Sequence, residues 1–123
     1  MIRIKRAYEP AAPDDGQRFL VDRVWPRGVK RDSLDIEGWA KDAAPSTELR
    51  KWFGHDPSRW NEFQQRYRQE LAPRTDVLTP LVDAARKGTV TLVYSARDEQ
   101  HNQAVVLKGV LDEHLAHQRR PRD

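Results

Sequence analysis

Two hydrophobic periods divide the chain. "IRIKR" (2–6) alternates apolar and basic residues, which predicts a half-buried strand. "RFLVDRVW" (18–25) is more continuously apolar and predicts a second strand, while "YEPAAPDDGQ" (8–17), rich in Pro, Asp and Gly, reads as the loop between them. "PRGVKRDSL" (26–34) is a basic loop, and "IEGWAKDAAP" (36–45) holds a short third strand. The period then becomes helical. Ser46 suits the cap of "TELRKWF", where Leu49, Trp52 and Phe53 share one face. Asp56 and Pro57 suit the cap and first position of a new helix, in which Trp60, Phe63, Tyr67 and Leu71 recur at three- and four-residue steps until Pro73. "TPLVDAARKG" (79–88) predicts a further helix, with Pro80 in its first turn and Gly88 just past its end. "TVTLVYS" (89–95) is a near-continuous β-branched run, as expected of a central parallel strand buried on both faces. From Asn102 to His117 a last helix carries Ala104, Leu107, Leu111 and Leu115 on one stripe, and Gly109 would let it approach the sheet closely. Residues 118–123 form a polar tail expected to be disordered.

Helix, buried strand, helix predicts right-handed crossovers. The fold class that follows is α/β: a single-domain layered sandwich over residues 1–117, a mostly parallel sheet with helices on both faces. In such sheets ligands bind beyond the carboxyl ends of the strands. "WPRG" follows the second strand and "ARD" follows the central one, so Arg23, Arg27, Arg97 and Asp98 are expected at one rim. Asp22, Arg23 and Arg27 stand among apolar neighbours in "LVDRVWPRG", and a charge at the end of a core strand is costly unless it is paired. Arg23 and Arg27 therefore read either as an anion clamp or as salt-bridge partners of Asp22 or Asp42 that pin the loop.

Composition narrows the chemistry. The 123 residues include no cysteine, which excludes disulfides, thiolate metal sites and a cysteine nucleophile. Lys and Arg number 22 against 19 Asp and Glu, so the net charge is +3 and the signs are mixed; local basic patches fit better than a wholesale nucleic-acid binder. Arg outnumbers Lys 16 to 6. Arg suits bidentate contact with phosphate or carboxylate, although a GC-rich genome produces the same bias. Met1 leads into "IRIKR" without an apolar targeting segment, and no run is long enough to span a bilayer, which predicts a cytoplasmic protein with no membrane partner. Walker, GxGxxG, HExxH, GxSxG and zinc spacings are absent from the sequence.

The candidate ligand residues are Arg23, Arg27, Arg50 and Arg97 as an anion clamp, with Ser46 at a helix start, Asn102 flanking the turn after the central strand, and Trp25 for ring stacking. Asp98 is the candidate for proton transfer, with His55 or Lys41. Each also has a plainer role: Ser46 as a cap, His55 decorating a helix junction, Asp98 holding its own turn. His114 and His117 lie three apart but lack a carboxylate or thiolate in pattern, so no metal and no cofactor is expected.

"RAYEP…DDGQRFLVDRVWPRG", "WAKDAAPSTELRKWFGHDPSRWNEFQQRY" and "VTLVYSARDEQHNQAVVL" together resemble the YeaO-like family of small, uncharacterised bacterial proteins, over roughly residues 2–115. The resemblance implies an α/β sandwich and a bacterial, cytoplasmic setting. Many members have "NHA" where this chain has "NQA" (102–104), so Gln103 stands in place of a histidine and His101 is the nearest one. These readings lead to an expected function: binding of an anionic, phosphate- or nucleotide-like small molecule, with hydrolysis or transfer left open, by a monomer or homodimer. A non-catalytic nucleic-acid-binding module and a protein-interaction domain with a structural charged rim are the alternatives.

Overall fold

The computed structural model describes residues 1–118. Its sheet consists of β1 (Ile2–Arg6), β2 (Gln17–Leu20), β3 (Gly38–Trp39) and β4 (Val90–Tyr94), in the order β1-β4-β2-β3, with every pair parallel. The α-helices are α1 (Thr47–Phe53), α2 (Trp60–Leu71), α3 (Thr75–Lys87) and α4 (Gln103–Gln118). The most continuous apolar run, β4, lies inside the sheet: Val90 is opposite Ile2 on one side and Gln17 on the other. All five of its residues are buried, as a strand covered on both faces requires. Among the described residues no helix is long and apolar enough to cross a membrane.

Side chains alternate between the faces of the sheet. Ile2, Ile4, Phe19, Val21, Val90, Leu92 and Tyr94 form one core with residues from all four α-helices. On the opposite face Leu20 and Val93 pack under Leu34, Trp25, Val29, Ile36 and Trp39, which lie in or border the loop after β2. Beside that patch a 3-10 turn, Pro13–Asp15, brings the Asp15 carboxylate beneath the sheet. It accepts from Lys5 Nζ at 3.1 Å, Arg18 Nη1 at 2.6 Å and the backbone N–H of Ala12 at 3.0 Å. Gly16 makes this possible: its φ is 65°, and a Cβ there would stand 2.1 Å from the Thr89 carbonyl oxygen.

The layered α/β domain with its parallel sheet matches the expectation from the sequence. What covers the second face is finer-grained than expected: a 3-10 turn and a loop stand there in place of α-helices. The connection from β1 to β2, residues 7–16, is short for a helical crossover, which takes about a dozen residues or more.

Three local expectations change. β2 ends at Leu20, not at 25; one further rung, Val21 N–H to Val93 O at 2.9 Å, follows before the chain turns away. α3 begins at Thr75, so Pro80 lies inside the helix. Its missing N–H is tolerated because that face is exposed and water can serve the freed carbonyl. Gly109 meets α2 rather than the sheet: a Cβ there would lie 3.2 Å from Arg68 Nη2, whose guanidinium pairs with Glu113 at 2.8 Å. The polar tail expected at 118–123 falls, from residue 119 onward, outside the described residues.

Candidate functional site

The carboxyl ends of β1, β4 and β2 open on a cavity of about 610 Å³. One side is formed by the segments that leave these strands, at Tyr8, Asp22–Arg27 and Ser95–Asp98, and the other by Arg50, Phe53 and His55 from α1 and its C-terminal turn.

Asp22 lies in its floor, 7 % exposed. Its carboxylate accepts the Ser95 backbone N–H at 3.0 Å, the Ser95 hydroxyl and the Gln103 side-chain amide. Burial pushes its pKa above the ordinary carboxylate value, against the pull of these hydrogen bonds and of the nearby Arg50 charge. Ser95 and Gln103 thus tie the exits of β2 and β4 and the start of α4 to one carboxyl group.

The arginines differ in what meets their charge, and Arg31 lies over the Trp25 and Trp39 rings. On the rest of the surface Arg3, Arg59, Arg66, Arg68, Arg74 and Arg86 each pair with a carboxylate. At the cavity Arg27, Arg50 and Arg97 have no side-chain hydrogen bond or ion pair among the described residues. Arg23 is spent on the scaffold: its Nε donates to the Pro45 carbonyl at 2.8 Å and its Nη2 to Ala44 at 3.3 Å, which holds the approach to α1. Arg6 likewise donates to the Ala96 carbonyl at 2.9 Å.

The candidates from the sequence separate accordingly. Arg23, Trp25, Arg27, Arg50, His55, Arg97 and Asp98 line the cavity. Lys41, Ser46 and Asn102 do not. Lys41 lies over the Trp39 ring, 5.1 Å from its centroid. Ser46 caps α1 by accepting from Leu49 N–H at 3.1 Å, while its own N–H and hydroxyl donate to Glu70. Asn102, 1 % exposed, accepts from Val105 N–H and donates to the Asp98 carbonyl, fixing the start of α4. Trp25 is held in place: its indole N–H donates to the Val29 carbonyl, Trp39 meets it edge-on at 5.4 Å, and the Arg31 guanidinium covers it at 4.7 Å.

Asp98 lines the cavity but its carboxylate is committed to its own loop. It accepts the N–H groups of Gln100 and His101 at 2.9 and 3.0 Å and meets His101 Nδ1 at 2.8 Å. The Gln100 N–H foremost, then the His101 ring, hold its pKa below the ordinary value, so it suits neither taking nor giving a proton near neutrality. His55 has a left-handed backbone, φ 57°, one residue after Gly54 at φ 53°. Such a conformation in a non-glycine residue stores strain and is over-represented at functional sites.

Asp22, read from the sequence as a strand-end charge and a possible arginine partner, lies in the cavity but is held by Ser95 and Gln103. Site residues missed from the sequence are Gln103 and, in the walls, Tyr8, Phe53 and Phe63. Gln103 had only its place in "NQA".

A family profile described as the "Inactive DUF488-N3 subclade" matches residues 1–123. YeaO, an uncharacterised protein of Escherichia coli K12, is 44 % identical over 106 residues, covering 86 % of this chain and 92 % of YeaO. An uncharacterised protein of Mycobacterium tuberculosis H37Rv, Rv3073c, is 42 % identical over 111 residues, covering 90 % of this chain and 93 % of its own. No solved structure matches. With the whole chain covered by the profile and relatives of this identity over nearly their full length, the protein belongs to the DUF488-N3 family, in the subclade described as inactive, and is a homologue of the YeaO its sequence motifs resemble.

Proposed function

We propose that this domain binds a small phosphate-type anion in the cavity at the carboxyl ends of its strands and does not transform it. One observation carries the reading: Arg3, Arg59, Arg66, Arg68, Arg74 and Arg86 pair with carboxylates and Arg31 lies over the Trp25 and Trp39 rings, whereas Arg27, Arg50 and Arg97 border one cavity with no side-chain partner among the described residues. Charges left unpaired around a concavity repel one another, and an anion between them relieves that repulsion. The net charge is only +3 with the signs mixed along the chain, which favours the small-anion reading over a nucleic-acid backbone.

Three features speak for binding without turnover. The chain has no cysteine. The Asp98 carboxylate is engaged by Gln100 and His101. Gln103, at the position where many members of the family it resembles carry histidine, meets Asp22 with an amide that cannot shuttle a proton. The subclade's description as inactive agrees with them.

The test is calorimetric titration of inorganic phosphate and pyrophosphate into the wild type, Arg50→Ala and Arg86→Ala. The expected result is saturable binding lost in Arg50→Ala and kept in Arg86→Ala, whose arginine pairs with Asp83 on the surface. Equal loss in both variants, or no binding at all, refutes the reading. A steady release of phosphate from pyrophosphate by the pure protein refutes the absence of turnover.

A further inference from the structure

We propose that the ligand of this cavity is a phosphomonoester with a flat apolar body, its phosphate seated on the loop that follows β4. The proposal rests on the anion-binding reading above and adds to it the ligand's anchor and the chemical class of its body.

The anchor is backbone. Among the described residues the N–H groups of Ala96, Arg97, Asp98 and Glu99 donate to nothing, while the Ser95 N–H before them and those of Gln100 and His101 after them are engaged by Asp22 and Asp98. Ala96 is 8 % exposed, and it lines the cavity with Arg97 and Asp98. Backbone donors that are buried are almost always satisfied, so the unpartnered N–H of Ala96 calls for an acceptor, and those of Arg97, Asp98 and Glu99, on more exposed residues, stand open beside it. Successive N–H groups in a turn form a concavity that suits the oxygens of an anion. Both ends of this loop are pinned by carboxylates, so its shape does not depend on a ligand. Arg97 belongs to the loop itself, and Arg27 and Arg50 supply further positive charge at the cavity, enough for a dianionic head.

The body is indicated by the rest of the lining. Three large hydrophobic residues stand out as exposed in the described chain, Met1, Tyr8 and Val24; two of them, Tyr8 at 49 % and Val24 at 56 %, line this cavity. Pro26 and Phe53 extend the apolar wall. Tyr8 is fixed rather than free to fold inward: its hydroxyl donates to the Arg27 carbonyl at 3.0 Å, and the Arg6 guanidinium lies 5.1 Å from its ring centroid. A lone phosphate would use the cations and the loop but none of this surface. The volume, about 610 Å³, falls within the roughly 300–1,000 Å³ typical of sites that hold whole small-molecule ligands.

The test compares five probes by calorimetric titration of the intact protein: inorganic phosphate, phenyl phosphate, phenol, adenosine monophosphate and adenosine. Phenyl phosphate or the nucleotide is expected to bind at least about tenfold more tightly than inorganic phosphate, the scale of a ring face leaving water. Phenol and adenosine, without the phosphate, should bind at least about a hundredfold more weakly than their esters. Whether the nucleotide or phenyl phosphate binds more tightly distinguishes a nucleotide from a simpler aryl ester. Val24→Ser, at an exposed position, should narrow the ratio between phenyl phosphate and inorganic phosphate. If inorganic phosphate binds as tightly as both esters, the apolar body is wrong and the anion-binding reading survives. If phenol or adenosine binds as well as its ester, or if no probe binds, both fail.

Discussion

Replacing Asp22 by alanine removes the acceptor for three donors: the N–H and hydroxyl of Ser95 and the amide of Gln103. The Ser95 N–H points at a carboxylate that is 7 % exposed, so water reaches it poorly once the carboxylate is gone. A buried donor left unsatisfied costs about 1–3 kcal/mol. The hydroxyl and the amide belong to half-buried residues and can turn to solvent, each forfeiting about 0.5–1.5 kcal/mol. Asp22→Ala should therefore lose about 2–6 kcal/mol, a large part of the roughly 5–15 kcal/mol that holds a domain together. Asp22→Asn keeps an acceptor for Ser95 and should lose only about 1 kcal/mol at low pH. Burial raises the Asp22 pKa above its ordinary value, so the folded chain keeps a proton that the unfolded chain has released. The stability this contributes is fully present below the ordinary carboxylate value and is lost as pH rises through the raised one. Asparagine has no such dependence, so the gap between wild type and Asp22→Asn should narrow as pH rises. Urea unfolding of the three proteins from about pH 3 to pH 7 measures this. A gap that widens with pH, or an alanine variant within about 0.5 kcal/mol of wild type, would refute the reasoning.

The buried Asp15 gives the opposite pH sign. Burial raises its pKa, but the Ala12 N–H, Lys5 and Arg18 together outweigh that and hold it below the ordinary value, so its stabilisation is present above that value and lost as pH falls through the lowered one. Asp15→Ala leaves the buried Arg18 cation without its partner and should cost about 3–5 kcal/mol in urea unfolding near neutral pH. His55→Gly should stabilise the fold by about 1 kcal/mol, since it relieves a left-handed φ of 57°, and a lower melting temperature would contradict this. Gly16→Ala should shift the unfolding midpoint sharply downward or prevent folding, because its Cβ would meet backbone at 2.1 Å.

Much of the fold could be read from the chain because its signals are local. The run "TVTLVYS" fixed the interior strand, and Leu107, Leu111 and Leu115 are all in the core as their stripe implied. Pro80 misled because its position relative to the helix start depends on where the chain leaves Leu71, and Thr75–Lys87 tolerates the proline through exposure rather than through a first-turn position. The second face of the sheet was obscure because it is covered by Leu34, Val29 and Ile36 from a segment whose charges read as loop. At the site, strand order alone brought the exits of β2 and β4 together, so Arg23, Arg27, Arg97 and Asp98 could be foreseen at one rim. Which of them are free for a ligand could not. That depends on contacts distant in sequence: the Pro45 carbonyl takes Arg23, while Ser95 and Gln103 take Asp22. Asp98, by contrast, is engaged by neighbours two and three residues away, the turn-holding role its position already allowed.

In the proposed site a phosphate-type anion sits where the unpaired arginines and the loop after β4 meet. The most direct measurement is a heteronuclear NMR titration with phenyl phosphate, following the backbone N–H signals and the arginine Nε–H signals. Saturable shifts are expected at the N–H groups of Ala96, Arg97 and Asp98 and at the side chains of Arg27, Arg50 and Arg97, with Arg59, Arg74 and Arg86 unmoved in their ion pairs. Shifts spread evenly over the paired surface arginines, or a loop at 96–98 that does not respond while binding saturates elsewhere, would contradict it.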